Sequence, residues 1–295
     1  MFHKMDSSGY RVFSIFNMIF LFTILGVCVL PYIHIIAISF SEIGAANANQ
    51  VGLVPVGATI GAYRFVMLED TMMLRGLINS IVRVVVGLSI SMAVTILVAY
   101  PLSFDSSKFP GRLAYAWFFI IIMLFPSALI PLYVLVKNLN LMNSIWSLIL
   151  PTAVTPFYIL ILMNFMRGIP GDISEAAFVD GASHFQCLVK IMIPLSVPSL
   201  ATLVLFVFID HWNSWFDGLI FMQDTARYPL QTYLLTRIEM MGKVLSLQDA
   251  RRMAGLSQRS IKMAYIVLTV IPTLCVYPFI QKHIRAGLVM GSIKG

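Results

Sequence analysis

Charged residues are scarce in this sequence. They make up 11% of the chain, against about 25% in soluble domains. Apolar residues make up 59% and the mean hydropathy is +0.88. This balance excludes an ordinary soluble domain and predicts an all-α protein with several membrane-spanning helices. The net charge of +7 does not indicate nucleic acid as a partner, because the basic residues are spread between apolar runs and form no basic face.

Sequence patterns of catalysis and metal binding are also missing. The three cysteines, Cys28, Cys187 and Cys275, have no metal-ligand spacing, and the histidines are scattered. There is no H-E-x-x-H, G-x-S-x-G or paired-cysteine motif and no G-x-x-x-x-G-K-[ST] phosphate loop. We therefore expect no catalytic residue, no metal and no cofactor bound by this chain, which disfavours a membrane-embedded enzyme. The first apolar run is far longer than the core of a signal peptide, so we expect it to remain as a span.

Six apolar runs are long enough to cross a bilayer, which takes about 20 residues. Short polar turns follow the second and third runs, long loops follow the first and fifth runs, and a polar segment of about thirty residues, 167–198, follows the fourth. The runs are Val12–Phe40, Ile78–Leu102, Leu113–Val136, Ile145–Met166, Val197–Met222 and Met263–Ile280.

Lys and Arg give a divided signal for orientation. If the N-terminus is cytoplasmic, more Lys and Arg residues lie on the outer side of the membrane than on the inner side, which opposes this orientation. When the last long loop is left out, the inner side has more of them, which supports it. Because early helices usually dominate topology, we expect both termini in the cytoplasm. The polar segment between the fourth and fifth spans, residues 167–198, then also lies in the cytoplasm.

This polar segment predicts a helical hairpin. Asp172 is a candidate N-cap and forms a capping box with Glu175. Gly181 offers a position of positive φ that ends the first helix. An ordinary loop between two spans would show some of these features too.

The segment also carries a spaced motif. Glu175-Ala-Ala is followed by Asp180-Gly-Ala and, after eleven residues, by Pro194-Leu. This pattern resembles the EAA motif of the permease subunits of ABC importers. Trp212-Asn-Ser-Trp in the fifth span and the tail from Gln281 resemble the MalG-like branch, which serves carbohydrate import, and within it the permeases grouped with LplC and YtcP.

The resemblance implies a type I ABC importer permease fold and a coupling function for the hairpin. In such importers the hairpin docks on a separate ATPase, and the tail reaches the ATPase dimer interface. The implied ATPase-coupling residues are Glu175, Ala176, Ala177, Asp180, Gly181, Ala182, Ile193 and Pro194. The implied tail contacts are Gly291, Lys294 and Gly295.

The fifth span holds unusual polar and aromatic side chains. Ionisable groups in a span usually face a cavity or a partner, and aromatic faces stack on sugar rings. This combination suits a substrate path, although the tryptophans would equally suit an interfacial belt and Asp217 could lie in outer water. The candidate residues are Asp210, His211, Trp212, Asn213, Trp215 and Asp217. For Arg83 in the second span we favour a snorkelling side chain over a substrate contact.

We therefore expect a transport subunit in a bacterial inner or plasma membrane that imports oligosaccharides by alternating access. The substrate would be a complex or anionic (uronic) oligosaccharide. Expected partners are a second, different permease subunit, a dimer of ATP-binding subunits that holds ATP and Mg, an external solute-binding protein and the lipid bilayer. An ion-driven secondary transporter is the alternative. The expected division is residues 1–73 (first helix and outer loop), 74–281 (permease core with the hairpin) and 282–295 (cytoplasmic tail).

Overall fold

A computed structural model describes residues 8–241 and 257–292. These residues form helices, turns and loops without any strand. The first five helices are α1 (Ser8–Ser39), α2 (Ile43–Asn47), α3 (Gly61–Arg64), α4 (Thr71–Ser103) and α5 (Arg112–Leu124). The next five are α6 (Leu129–Asn138), α7 (Trp146–Ile149), α8 (Pro156–Arg167), α9 (Gly171–Val179) and α10 (His184–Cys187). The last five are α11 (Ile193–Leu195), α12 (Val197–Asn213), α13 (Phe216–Phe221), α14 (Leu230–Met240) and α15 (Gln258–Ser292).

Within the described residues, three helices are long and apolar enough to cross a membrane, and three bent helix pairs bring the total to as many as six. The long helices are α1, α4 and α15, which contain the predicted first, second and sixth spans. The bent pairs contain the third and fourth spans and the start of the fifth. The prediction of an all-α polytopic protein is therefore confirmed.

The third span is not the continuous helix that its composition predicts. The chain bends by 109° between α5 and α6. Phe125, at φ −121° and ψ 71°, ends α5, because the residue before a proline is pushed out of the helical region. At 13 residues, α5 is about 20 Å long and shorter than the bilayer's hydrocarbon core of about 30 Å.

The chain divides into two compact units. The first unit comprises Met1–Thr71 and Ile238–Val270. Its core contains Ala37, Ile38, Ala45, Ala46 and Val51, with Met263 packed against it. Within this unit, the Ser260 hydroxyl donates to the Ser41 carbonyl over 3.1 Å and the Tyr265 hydroxyl donates to Asp70.

The second unit comprises Met72–Arg237 and Ile271–Gly295. Its main core joins the C-terminal part of α4 to α5, α8, α10 and α12 through buried residues such as Ala99, Phe119, Leu162, Cys187 and Leu203. Both candidate sites, the hairpin and the polar part of the fifth span, lie in this unit. The division predicted from the sequence stays a prediction.

Candidate functional sites: the polar hairpin and the polar cavity of the fifth span

The first helix of the hairpin is α9, and its start differs from the sequence prediction. Its N-cap is Pro170, with no side-chain hydrogen bond to the cap. The prediction of Asp172 as the N-cap is therefore wrong. Asp172 lies in the first turn, where its carboxylate still interacts favourably with the helix dipole.

The turn after α9 has the geometry predicted from its glycine. Gly181 has a φ of +83°, in the left-handed region that residues with a Cβ atom rarely adopt. A capping box that we did not predict then starts α10. The Ser183 hydroxyl accepts from the Gln186 amide over 3.3 Å, and the Gln186 side chain accepts from the Ser183 amide over 2.8 Å. The spacing S-x-x-Q carries this signal in the sequence.

Glu175 pairs with a lysine of its own chain. Lys108, in the short loop after α4, donates from Nζ to Glu175 Oε1 over 2.7 Å, and both side chains are exposed. The hydrogen bond and the positive charge of Lys108 lower the pKa of the Glu175 carboxyl. Glu175 is the fifth residue of α9, so it lies beyond the first turn, and its carboxylate already has a partner in this chain.

An aromatic cluster fixes the hairpin to the end of α4. The His184 ring lies 4.8 Å from Phe178 and 5.8 Å from Phe104, measured between ring centroids. His184 Nδ1 is 3.3 Å from the Tyr100 hydroxyl, within hydrogen-bond distance. Sequence reasoning missed this contact, because the four side chains come from three separate segments.

The outer face of the hairpin is exposed and partly apolar. Val179 is 87% exposed and Phe185 is 70% exposed. Neither residue is in the predicted coupling set. Apart from Glu175, that set divides between exposed residues (Ala176, Asp180, Gly181 and Pro194) and partly buried residues (Ala177, Ala182 and Ile193). Val179 and Phe185 thus present most of their apolar surface outside the core of this unit.

Arg83 is the centre of the second site. It is 1% exposed, so the prediction of a snorkelling side chain is wrong. Both terminal guanidinium nitrogens donate to the carboxylate of Asp217, one of them over 3.1 Å. Asp217 also accepts from the Ser214 hydroxyl and the Gly218 amide, each over 2.8 Å. This bidentate pair compensates the buried charge of Arg83, whereas Asp217 itself is only partly buried.

Two further ionisable residues, Asp210 and His211, lie on α12, seven and six positions before Asp217. Asp210 accepts a hydrogen bond of 2.5 Å from the Tyr158 hydroxyl on α8. His211 is buried and lies against Gly87 on α4, where a Cβ atom would be 2.6 Å from the imidazole ring. Gly87 is therefore required for the close approach of the His211 ring to α4.

These side chains border a cavity of about 230 Å³. Of the predicted substrate-path residues, Asp210 and His211 line the cavity. Asp217 does not line it but binds Arg83, which does. Trp212 is buried and stacks on Phe208 at a centroid distance of 6.0 Å. Asn213 and Trp215 are exposed and do not line it. The lining residues that sequence reasoning did not assign to this site are Arg83, Ser91, Thr152, Thr155, Tyr158, Val207 and Ser214.

The segment after the fifth span is held against α4. Asn79 donates from Nδ2 to the Ala226 and Tyr228 carbonyls, each over 3.1 Å, and the Leu230 amide donates to the Ser80 hydroxyl over 2.8 Å. Because α13 leads into this segment, these bonds help to hold Asp217 opposite Arg83.

The predicted tail contacts lie mostly outside the described residues. Gly291 is near the end of α15, whereas Lys294 and Gly295 are beyond the described range. Three of the seven basic residues between the fifth and sixth spans, Lys243, Arg251 and Arg252, are also outside the described range.

Comparisons with known proteins agree with the motif. Residues 91–289 match the family described as "Binding-protein-dependent transport system inner membrane component". The polygalacturonan/rhamnogalacturonan transport system permease protein YtcP of Bacillus subtilis is 36% identical over 288 residues, which cover 97% of this chain and 99% of that protein. Protein LplC of Bacillus subtilis is 36% identical over 290 residues, which cover 98% of this chain and 97% of that protein.

A solved structure extends the likeness to three dimensions. The crystal structure of a bacterial ABC transporter involved in the import of the acidic polysaccharide alginate contains a chain that superposes with a TM-score of 0.88. Its sequence is 29% identical, and the match covers 95% of this chain and 99% of that chain. The predicted permease fold is thereby confirmed. With its multi-pass helical fold, its EAA motif and a family match over two thirds of its length, the chain belongs to the inner membrane components of binding-protein-dependent transport systems and is a permease subunit, not an enzyme.

Proposed function

We propose that this chain is a permease subunit of an ATP-driven importer that carries anionic oligosaccharides into the bacterial cytoplasm. The names of its relatives support this substrate class, since polygalacturonan is a polymer of uronic acids and alginate is named as an acidic polysaccharide. Membership of a binding-protein-dependent family supports delivery of the sugar by an external binding protein. It also favours the ATP-driven transporter over the ion-driven alternative.

In this proposal the hairpin docks on a separate ATPase. The observation that carries it is the exposed tip, where Val179 and Phe185 present large apolar side chains outside the core. Two large apolar side chains exposed on one short polar segment support an interaction site there. The small side chain of Ala176 beside this tip permits close approach of a partner.

The hairpin is also built to pass on a displacement. The His184 ring contacts Phe104 at the end of α4, and Leu188 and Met192 after α10 are buried in the core that includes α8 and α12. A movement of the tip would therefore reach three helices through packed side chains and not through a flexible loop. This is the physical requirement for coupling ATP binding to alternating access.

The remaining assembly follows from the same proposal. ATP and Mg are held by a dimer of ATP-binding subunits, and a second, different permease completes the path. The hairpin and both termini are cytoplasmic, and the tail residues Gly291, Lys294 and Gly295 contact the ATPase. The chain itself binds no cofactor.

Co-purification tests the docking surface. Val179→Arg places a charge on the 87% exposed tip, and we expect the ATPase to be lost from the purified complex. The matched control is Val54→Arg, since Val54 is 72% exposed in the loop of the other unit, and we expect it to retain the ATPase. Equal retention in both variants would exclude the tip as the docking surface.

A further inference from the structure

The cavity beside the fifth span contains two buried polar atoms without a partner. Arg83 Nε and Ser91 Oγ have no hydrogen-bond partner in the part of the chain that the structure describes. The two residues are 1% and 2% exposed, and both line the cavity. A buried polar atom left unpaired costs about 1–3 kcal/mol. Two such atoms on one cavity wall indicate that a polar molecule completes their hydrogen bonding.

The charges around the cavity restrict what this molecule is. Arg83 is already neutralised by Asp217, which takes both of its terminal nitrogens. Asp210 adds a carboxylate on the opposite helix, where the Tyr158 hydroxyl is its described donor. The walls therefore offer one donor from a compensated guanidinium, the His211 imidazole, several hydroxyls and a carboxylate acceptor. This set suits neutral hydroxyl groups and opposes a second carboxylate.

The size of the cavity also suits a single sugar unit. Its volume of about 230 Å³ corresponds to about eight water molecules at liquid density. This is the scale of one pyranose ring with its hydroxyl groups. Thr152 and Thr155 add hydroxyls to the same walls.

We propose that this cavity is a subsite for one sugar unit of the transported chain and that it binds the unit through its hydroxyl groups. Arg83 Nε donates to a sugar oxygen, Ser91 Oγ donates or accepts, and Asp210 accepts from a second hydroxyl. The carboxylate of a uronic unit points away from the cavity. The assignment rests on the proposed function, because it requires an oligosaccharide inside the membrane.

Protection of an introduced cysteine tests the subsite in the complete transporter. The three native cysteines are replaced by alanine and Ser91→Cys is introduced, which changes only one atom of the side chain. The complex is incubated in nanodiscs with trigalacturonate, or with the carboxyl-reduced galactose trisaccharide, and then alkylated. At a sugar concentration of about four times Kd, occupancy leaves about one fifth of the sites reactive, so we expect about fivefold slower alkylation with either sugar.

Ser89→Cys is the matched control, since Ser89 lies on the same helix but is exposed. We expect no protection at that position. Equal alkylation of the Ser91→Cys variant with and without both sugars would overturn the subsite and identify a cavity that holds water only. Protection by the uronic sugar alone would overturn binding through hydroxyl groups.

Filling the cavity gives an independent measurement. Ser91→Leu replaces the hydroxyl with a larger apolar side chain, and we expect a rise of tenfold or more in KM for ATP-dependent uptake of trigalacturonate, whereas Ser89→Leu leaves KM unchanged. Unchanged KM in both variants would overturn the subsite but leave the importer function intact. If the wild-type complex takes up neither trisaccharide with ATP, the proposed function itself fails.

Discussion

Replacing Asp217 by alanine should destabilise the protein far more than breaking the exposed ion pair between Lys108 and Glu175. Arg83 is 1% exposed and would keep only its two carbonyl contacts, to Ser214 and Leu148, both at 3.4 Å. Removing one partner of a buried ion pair costs about 3–5 kcal/mol, because the other charge stays buried and uncompensated. We therefore expect Asp217→Ala to lower the free energy of unfolding by about that amount.

The assay is equilibrium unfolding in mixed detergent micelles, with Lys108→Met as the reference variant. Lys108 and Glu175 are also an ion pair, but both side chains are exposed to solvent, so the second variant should lose much less stability. The double variant Arg83→Met/Asp217→Leu removes both buried charges and should recover most of the loss. Similar losses for Asp217→Ala and Lys108→Met would refute the assignment of a buried, mutually dependent pair.

Three further substitutions or titrations test the local geometry. Gly87→Ala would place a Cβ atom 2.6 Å from the His211 ring, so we expect a loss of stability of about 1–3 kcal/mol from overpacking. Adding His211→Ala to the same chain should restore part of this stability. No restoration would contradict the contact between Gly87 and His211. In Gly181→Ala the added Cβ atom meets no neighbouring atom, but the residue must adopt a φ of +83°, so thermal unfolding should show a loss of stability of about 1–2 kcal/mol. The control Gly171→Ala also meets no neighbour and has an ordinary φ, so it should not destabilise the protein. The pKa of Glu175 is lowered in the folded protein, so the stability from its pair with Lys108 is present above the pKa of the unfolded chain and is lost as pH falls through the folded-state pKa. Carbon-13 titration of the carboxyl should therefore give a midpoint below the usual value of about 4.3. A midpoint at or above that value would contradict the pairing.

Much of the fold could be predicted from composition and local signals. The apolar runs locate α1, α4 and α15, because each run is long enough for a span and is bounded by polar residues. The helix ends are less well predicted, since α4 begins seven residues before its run and α15 ends twelve residues after its run. Gly181 could be predicted as a turn because only the conformational freedom of glycine suits that position. The proline at position 126 indicates the break after Leu124, but the absence of charged residues from the whole run favours one continuous span.

The site could be predicted only in part, because its contacts are long-range. Arg83 and Asp217 are 134 residues apart in sequence, and each by itself resembles a charge near the membrane surface. Lys108 and Glu175 are 67 residues apart, so the EAA motif alone does not indicate their pairing. Local patterns identified which residues are unusual, whereas the packing of α4 against α12 and α13 determined what they contact.

The central claim is that this chain carries sugar when a separate ATPase drives it. The most direct measurement is uptake of labelled trigalacturonate by proteoliposomes that contain this chain, its partner permease and the ATPase, with the binding protein outside and ATP inside. We predict uptake that requires both ATP and the ATPase and that Val179→Arg abolishes. Uptake driven by an ion gradient without the ATPase would contradict the account.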